Sequence, residues 1–120
     1  MATPDLPESL RAQLARQADQ SPVETVREFM LGHVADAQSL QEVRGRLRRI
    51  AQHSTRLHRR VLRALESVTA APLPEGTLAR LVGWDGNWVL DDQSDAGAAE
   101  FLRELAQLLR GILEEPDQAR

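Results

Sequence analysis

Apolar residues recur at alternating intervals of three and four positions through the middle of the chain. This spacing places an apolar side chain on the same face of an α-helix at nearly every turn, and it continues for about four heptads. The pattern predicts one helix over about residues 40–69, unless the polar triplet His53-Ser54-Thr55 divides it into two helices. The repeat comprises Leu40, Val43, Leu47, Ile50, Ser54, Leu57, Val61, Ala64 and Val68.

Shorter helical patterns precede this repeat. Leucines at intervals of four, together with Ala18, predict an amphipathic helix over residues 6–18. The next segment, Ser21-Pro22-Val23-Glu24, combines a capping serine, a first-turn proline and a glutamate that can reach back to the cap. We therefore expect a second helix that runs from this box to about Ala37.

The last third of the chain predicts one short helix and one long one. Two prolines in residues 70–76 end the central repeat, because proline lacks a backbone donor and disfavours helical geometry in the residue before it. A short helix is expected over 77–82, and an irregular or hairpin turn over 84–90. Ser94 or Asp95 can cap a helix over about 95–114, whose wide apolar face requires a central place in the fold or a partner.

Together these elements predict an all-α fold, a four- or five-helix bundle that forms one domain over residues 1–120. No apolar run is long enough to span a membrane, and the first ten residues lack the basic and apolar regions of a signal peptide. A cytoplasmic protein is therefore expected, with no membrane contact.

Residues that carry chemistry are scarce. The chain has no cysteine and no lysine, and its three histidines, His33, His53 and His58, form no metal-binding motif. No glycine-rich phosphate loop and no nucleophile motif occurs. We therefore expect no metal, no cofactor and no catalytic residue, which means a protein that is not an enzyme.

The net charge of −3 conceals an uneven distribution. Residues 1–39 hold three arginines and six acids, residues 40–74 hold eight and two, and residues 75–120 hold four and ten. The basic middle therefore lies between two acidic ends, and the first question is whether these charges neutralise one another within the molecule.

Six basic residues follow one another at intervals of 3, 4, 3, 4 and 3 and form a stripe along the predicted central helix. One interpretation is a solvated face whose guanidinium groups pair with acids of the last helix such as Glu100 and Glu104. The other is a surface for an acidic protein or a phosphate backbone. The stripe comprises Arg46, Arg49, His53, Arg56, Arg60 and Arg63.

Trp84 and Trp88 are two of the four aromatic residues of the chain and lie in one five-residue turn. Packing of at least one indole in the core is expected. The other is a candidate anchor for a partner, because tryptophan is enriched at the centres of protein interfaces.

These features favour a non-enzymatic protein–protein interaction module: an adaptor, a regulator or an immunity-type partner. Its partner is another protein, with a second copy of the chain as one candidate. The alternative is a nucleic-acid-binding regulator that uses the arginine-rich central helix. It is disfavoured by the sequence pI of about 5.6, since dedicated nucleic-acid-binding domains tend to lie above about 9.

Overall fold

The first described helix begins at the capping box that the sequence predicts: Ser21 Oγ accepts a hydrogen bond from the backbone N–H of Glu24 at 3.2 Å. The structure, a computed structural model, describes residues 21–115. The helix predicted over 6–18 lies outside these residues. The five helices are α1 (Pro22–Phe29, continued by a π-helical turn at Met30–Val34), α2 (Leu40–Ala51), α3 (Arg56–Ala70), α4 (Thr77–Arg80, continued by a π-helical turn at Leu81–Asp85) and α5 (Asp95–Leu113).

The predicted all-α bundle is confirmed, and residues 21–115 contain no strand. The hairpin considered for 84–90 is therefore wrong: Trp84 lies in the π-helical turn that ends α4, and the chain after it is irregular. The C-terminal helix predicted over 95–114 is present as α5, with Ser94 Oγ accepting from the Gly97 N–H at its start.

The prediction of one long helix over 40–69 is wrong, and the alternative, a division at the polar triplet, is confirmed. The backbone tightens after Ala51, where the His53 N–H donates to the Ile50 carbonyl three residues earlier at 2.9 Å. Ser54 Oγ then accepts from the Arg56 N–H at 3.2 Å. A serine hydroxyl thus competes for a backbone donor and helps to start a new helix.

Helices α3 and α5 pack against each other in the middle of the bundle. α1 covers α3, while α2 and α4 contact α5, and the two π-helical turns also touch each other. Leucine, valine, methionine and phenylalanine side chains fill the space between these elements. The core includes Val26, Phe29, Met30, Leu47, Val61, Leu65, Leu81, Leu102, Leu105 and Leu109.

The start of α4 is capped by a residue of another helix. Gly76 precedes α4 with a φ of 90°, which favours glycine. The carboxylate of Asp95, the first residue of α5, accepts from the backbone N–H groups of Gly76 at 2.7 Å and Ala79 at 2.9 Å. These two hydrogen bonds hold the pKa of Asp95 below its ordinary value.

Gly45 lies in the interior of α2, and replacing it with alanine is expected to stabilise the protein by about 0.5–1 kcal/mol. An added Cβ would meet only the Arg49 Nη1 atom, at an ordinary contact distance of 3.9 Å. Urea unfolding should show a higher midpoint with an unchanged slope. Gly86→Ala serves as the control that should lose stability, since a Cβ there would lie 2.9 Å from the Val82 carbonyl oxygen. A lower midpoint for Gly45→Ala would contradict the description of α2.

Candidate interaction surfaces

The arginines of α2 are largely neutralised within the molecule. Arg46 Nη1 lies 2.8 Å from the Asp36 carboxylate and also donates to the His33 carbonyl, while Arg46 Nη2 lies 3.3 Å from Glu42. The hydrogen bond from Arg46 lowers the pKa of Asp36. Arg46 therefore ties α2 to the segment after α1 instead of facing a partner.

Two further arginines of α2 share one carboxylate at the end of α5. Arg48 Nε donates to Glu115 at 3.0 Å, and Arg44 Nη2 lies 3.4 Å from the same side chain. Exposed ion pairs of this kind contribute at most about 1 kcal/mol each. Their main consequence here is that α2 presents little uncompensated charge.

Within the described part of the chain, the arginines of α3 have no such compensation. All four are exposed, and none forms an ion pair with a carboxylate of residues 21–115. At 3.6 residues per turn they fall within an arc of about 100° on the first two turns of the helix. They line an open depression of about 520 Å³. We call these residues, Arg56, Arg59, Arg60 and Arg63, the α3 arginine surface.

The predicted basic stripe is therefore divided. Arg46 is held in the α1–α2 contact, His53 is exposed in the turn between α2 and α3, and Arg49 is exposed on α2. The pairing expected with Glu100 and Glu104 is absent among the described residues; Arg110 of α5 instead donates to Glu66.

Arg59 was missed by the prediction, because it does not follow the 3,4 spacing of a stripe extended from α2. In the structure it lies beside its neighbours on α3, and its Nε donates to Thr55 Oγ1 at 3.2 Å. The sequence signal for Arg59 is its adjacency to Arg60 on a helix that begins at residue 56.

The α3 arginine surface is unfavourable for the isolated helix. Its members form four like-charge pairs at intervals of three or four residues. Each pair destabilises the helix by about 0.2–0.5 kcal/mol. The first turn of α3 contains no acidic residue, and the side chain of its N-cap residue, Thr55, accepts no hydrogen bond from the helix backbone. Cations at this end also oppose the helix dipole. Nothing in the described fold offsets this concentration of positive charge.

The two tryptophans have different environments. Trp88 is half-buried, and its ring centroid lies 5.2 Å from that of Phe101 in α5. Trp84 is 76% exposed on the π-helical turn. The expected division between a packed and an exposed indole is thus present, and a role of either in partner binding stays a prediction.

Trp84 borders a groove of about 390 Å³ at the junction of α4, the following irregular segment and α5. Val89, which is 83% exposed, lies on the same groove. The lining is mainly apolar, with Arg80 and Gln93 as polar members. We call it the Trp84 groove. Its other lining residues include Val82, Trp88, Leu90 and Ala98.

Among residues 21–115, the acidic and histidine side chains form no cluster that could hold a metal ion. His33 is half-buried beside Phe29, and this burial lowers its pKa. Within the same described range, no helix has the length and apolarity needed to cross a membrane.

Comparison of the chain with models of known protein families, with curated proteins and with solved structures finds no match in any of the three. Its two surfaces are therefore interpreted from their own residues.

Proposed function

We propose that this protein is a cytoplasmic, non-enzymatic protein–protein interaction module whose partner binds in the Trp84 groove. The observation that carries the proposal is the exposure of Trp84 beside an apolar groove. Tryptophan buries roughly 150–250 Å² when a partner covers it, which corresponds to on the order of 3 kcal/mol of apolar transfer free energy.

The position of Trp84 on a helical turn supports this role. Its neighbour Leu81 is buried in the core, and the Gly86 N–H donates to the Leu81 carbonyl at 2.9 Å. The backbone that carries the indole is therefore tied to the folded domain. Binding does not require this segment to become ordered, which reduces the entropic cost of association.

Charge indicates the chemistry of the partner segment. Arg80 is exposed, lines the groove and forms no ion pair with a carboxylate of residues 21–115. A partner segment that places a large apolar side chain against Trp84 and Val89, and a carboxylate near Arg80, would satisfy both properties of the groove.

The test is affinity capture from the native host followed by calorimetry with each purified candidate partner. Trp84→Ala is expected to weaken binding of the true partner at least 30-fold, which is about 2 kcal/mol. Leu31→Ala is the matched control, because Leu31 is also exposed and apolar but does not line the groove. Equal affinities of the Trp84→Ala variant and the wild type would refute the proposal.

Fluorescence gives an independent readout. The chain has only two tryptophans, so Trp88→Phe leaves Trp84 as the sole indole. Quenching by acrylamide should be strong in the free variant and should fall when the partner is added. Light scattering of the wild type and the Trp84→Ala variant identifies the case in which the partner is a second copy, since only the wild type would then be dimeric.

A further inference from the structure

We infer that the α3 arginine surface binds the phosphate backbone of duplex DNA, at a site separate from the Trp84 groove. The inference goes beyond the proposed protein partner, because it concerns another helix and another chemistry. It rests on uncompensated charge, on the composition of the surface and on its position in the fold.

The positive charge of this surface is concentrated in one stretch of the chain and has no carboxylate partner within residues 21–115. Residues 43–65 contain eight arginines and no acidic residue. The arginines of α2 that lie nearest to carboxylates are paired with Asp36, Glu42 and Glu115, whereas the four of α3 are not. The nearest acid after them along α3 is Glu66, and it already accepts from Arg110.

The composition favours phosphate over an acidic protein face. Among residues 21–115, Leu57 is the only apolar residue that lines the depression, and it is itself half-buried. A stable protein interface has an apolar core, which this surface lacks, whereas interfaces with DNA are strongly positive and polar. Guanidinium groups also match phosphate oxygens in a two-point arrangement.

Both the residue types and the position of the surface favour a duplex over a single strand. Single-strand sites stack bases on aromatic rings, and none of the described residues that line this depression is aromatic. A helix about 10–12 Å wide fits the major groove of B-DNA, which is about 12 Å wide. The arginines lie in the first two turns of the second of two helices joined by residues 52–55, and these turns are the part that helix-turn-helix proteins place against DNA.

We expect four phosphate contacts, one for each arginine of the surface, and their number sets the salt dependence of binding. The logarithm of the binding constant should fall with the logarithm of salt concentration with a slope of about −3.6, so binding weakens about 100-fold between 50 and 200 mM salt. The acidic remainder of the chain opposes association, and we expect affinity without sequence preference.

The experiment is fluorescence anisotropy with a labelled 20-base-pair duplex of mixed sequence, titrated with the full chain at several salt concentrations. The variant Arg56→Gln/Arg60→Gln/Arg63→Gln is expected to bind more than 100-fold more weakly at about 50 mM salt, with a slope near −0.9. The control Arg44→Gln/Arg48→Gln/Arg103→Gln changes the net charge by the same amount and should retain the wild-type slope. Circular dichroism should show both variants folded, because all six side chains are exposed.

Absence of duplex binding at about 50 mM salt and about 100 µM protein would overturn the inference, as would an equal loss in the two variants. Tighter binding to a labelled single strand or to poly-glutamate than to the duplex would also overturn it, and would assign the surface to that ligand instead. The Trp84→Ala variant should bind the duplex like the wild type. Failure of the proposed protein partner is therefore distinguishable from failure of this site.

Discussion

Replacement of Leu47 with alanine is expected to lower the free energy of unfolding by about 3–5 kcal/mol, whereas the same change at Leu57 should cost less than about 2 kcal/mol. Leu47 is completely buried and belongs to the core, whereas Leu57 is half-buried and packs against the edge of the core. Truncation at Leu47 leaves a cavity that its neighbours cannot fill, and truncation at Leu57 leaves space that water can reach.

This comparison tests the division between α2 and α3. A continuous helix over 40–69 would bury both leucines on one seam and would make the two losses similar. Urea unfolding monitored by circular dichroism gives both free energies on one scale. Losses that agree within about 0.5 kcal/mol would contradict the structure at this point.

Replacement of His58 with alanine is expected to cost about 3 kcal/mol. The imidazole is completely buried in α3, and its Nε2 donates to the Leu47 carbonyl of α2 at 2.8 Å. Alanine removes both the packing volume and the hydrogen bond that joins the two helices across the turn. Thermal and urea unfolding of the purified variant measure the loss.

His58→Leu separates packing from hydrogen bonding. It keeps most of the buried volume, and it also removes Nδ1, which is buried without a hydrogen-bond partner among the described residues. We expect stability within about 1.5 kcal/mol of the wild type, because leucine keeps the packing and the net contribution of one hydrogen bond is only about 0.5–1.5 kcal/mol. A loss as large as that of His58→Ala would show that the hydrogen bond to Leu47 dominates.

Local signals were reliable in this sequence. Ser21 and Ser94 each cap a helix as the sequence predicts, and Ser39 caps α2 in the same way, with its side chain accepting from the Glu42 N–H. A cap needs only a hydroxyl and a backbone N–H three residues apart, so its formation depends little on the rest of the fold. The bounds of α5 agree with the sequence prediction to within one residue.

The break between α2 and α3 was harder to predict, because the apolar spacing continues through it. Ile50 and Leu57 follow the 3,4 repeat but are only half-buried, whereas His58 is completely buried. The spacing from His58 to Val61, Leu65 and Val68 was the available signal. This signal is weak, because histidine is fully buried less often than leucine, isoleucine or valine.

The division of the basic stripe depended on tertiary contacts. Arg46 is neutralised chiefly by Asp36, which precedes α2, and no periodicity reveals such a pair. The exposure of Trp84 is likewise not given by periodicity, because this residue lies in the π-helical turn Leu81–Asp85, whose spacing departs from that of an α-helix.

The hydrogen bonds of Asp95 have a consequence for the rigidity of the Trp84 groove. By accepting from Gly76 and Ala79, this carboxylate fastens the beginning of α4 to the beginning of α5, and the intervening residues become a loop closed at its base. Both tryptophans lie within that closed loop. The conformational entropy of shaping the groove is thus lost during folding, so the surface is preorganised, and under the proposed function a partner would gain affinity from its rigidity as well as from its contacts.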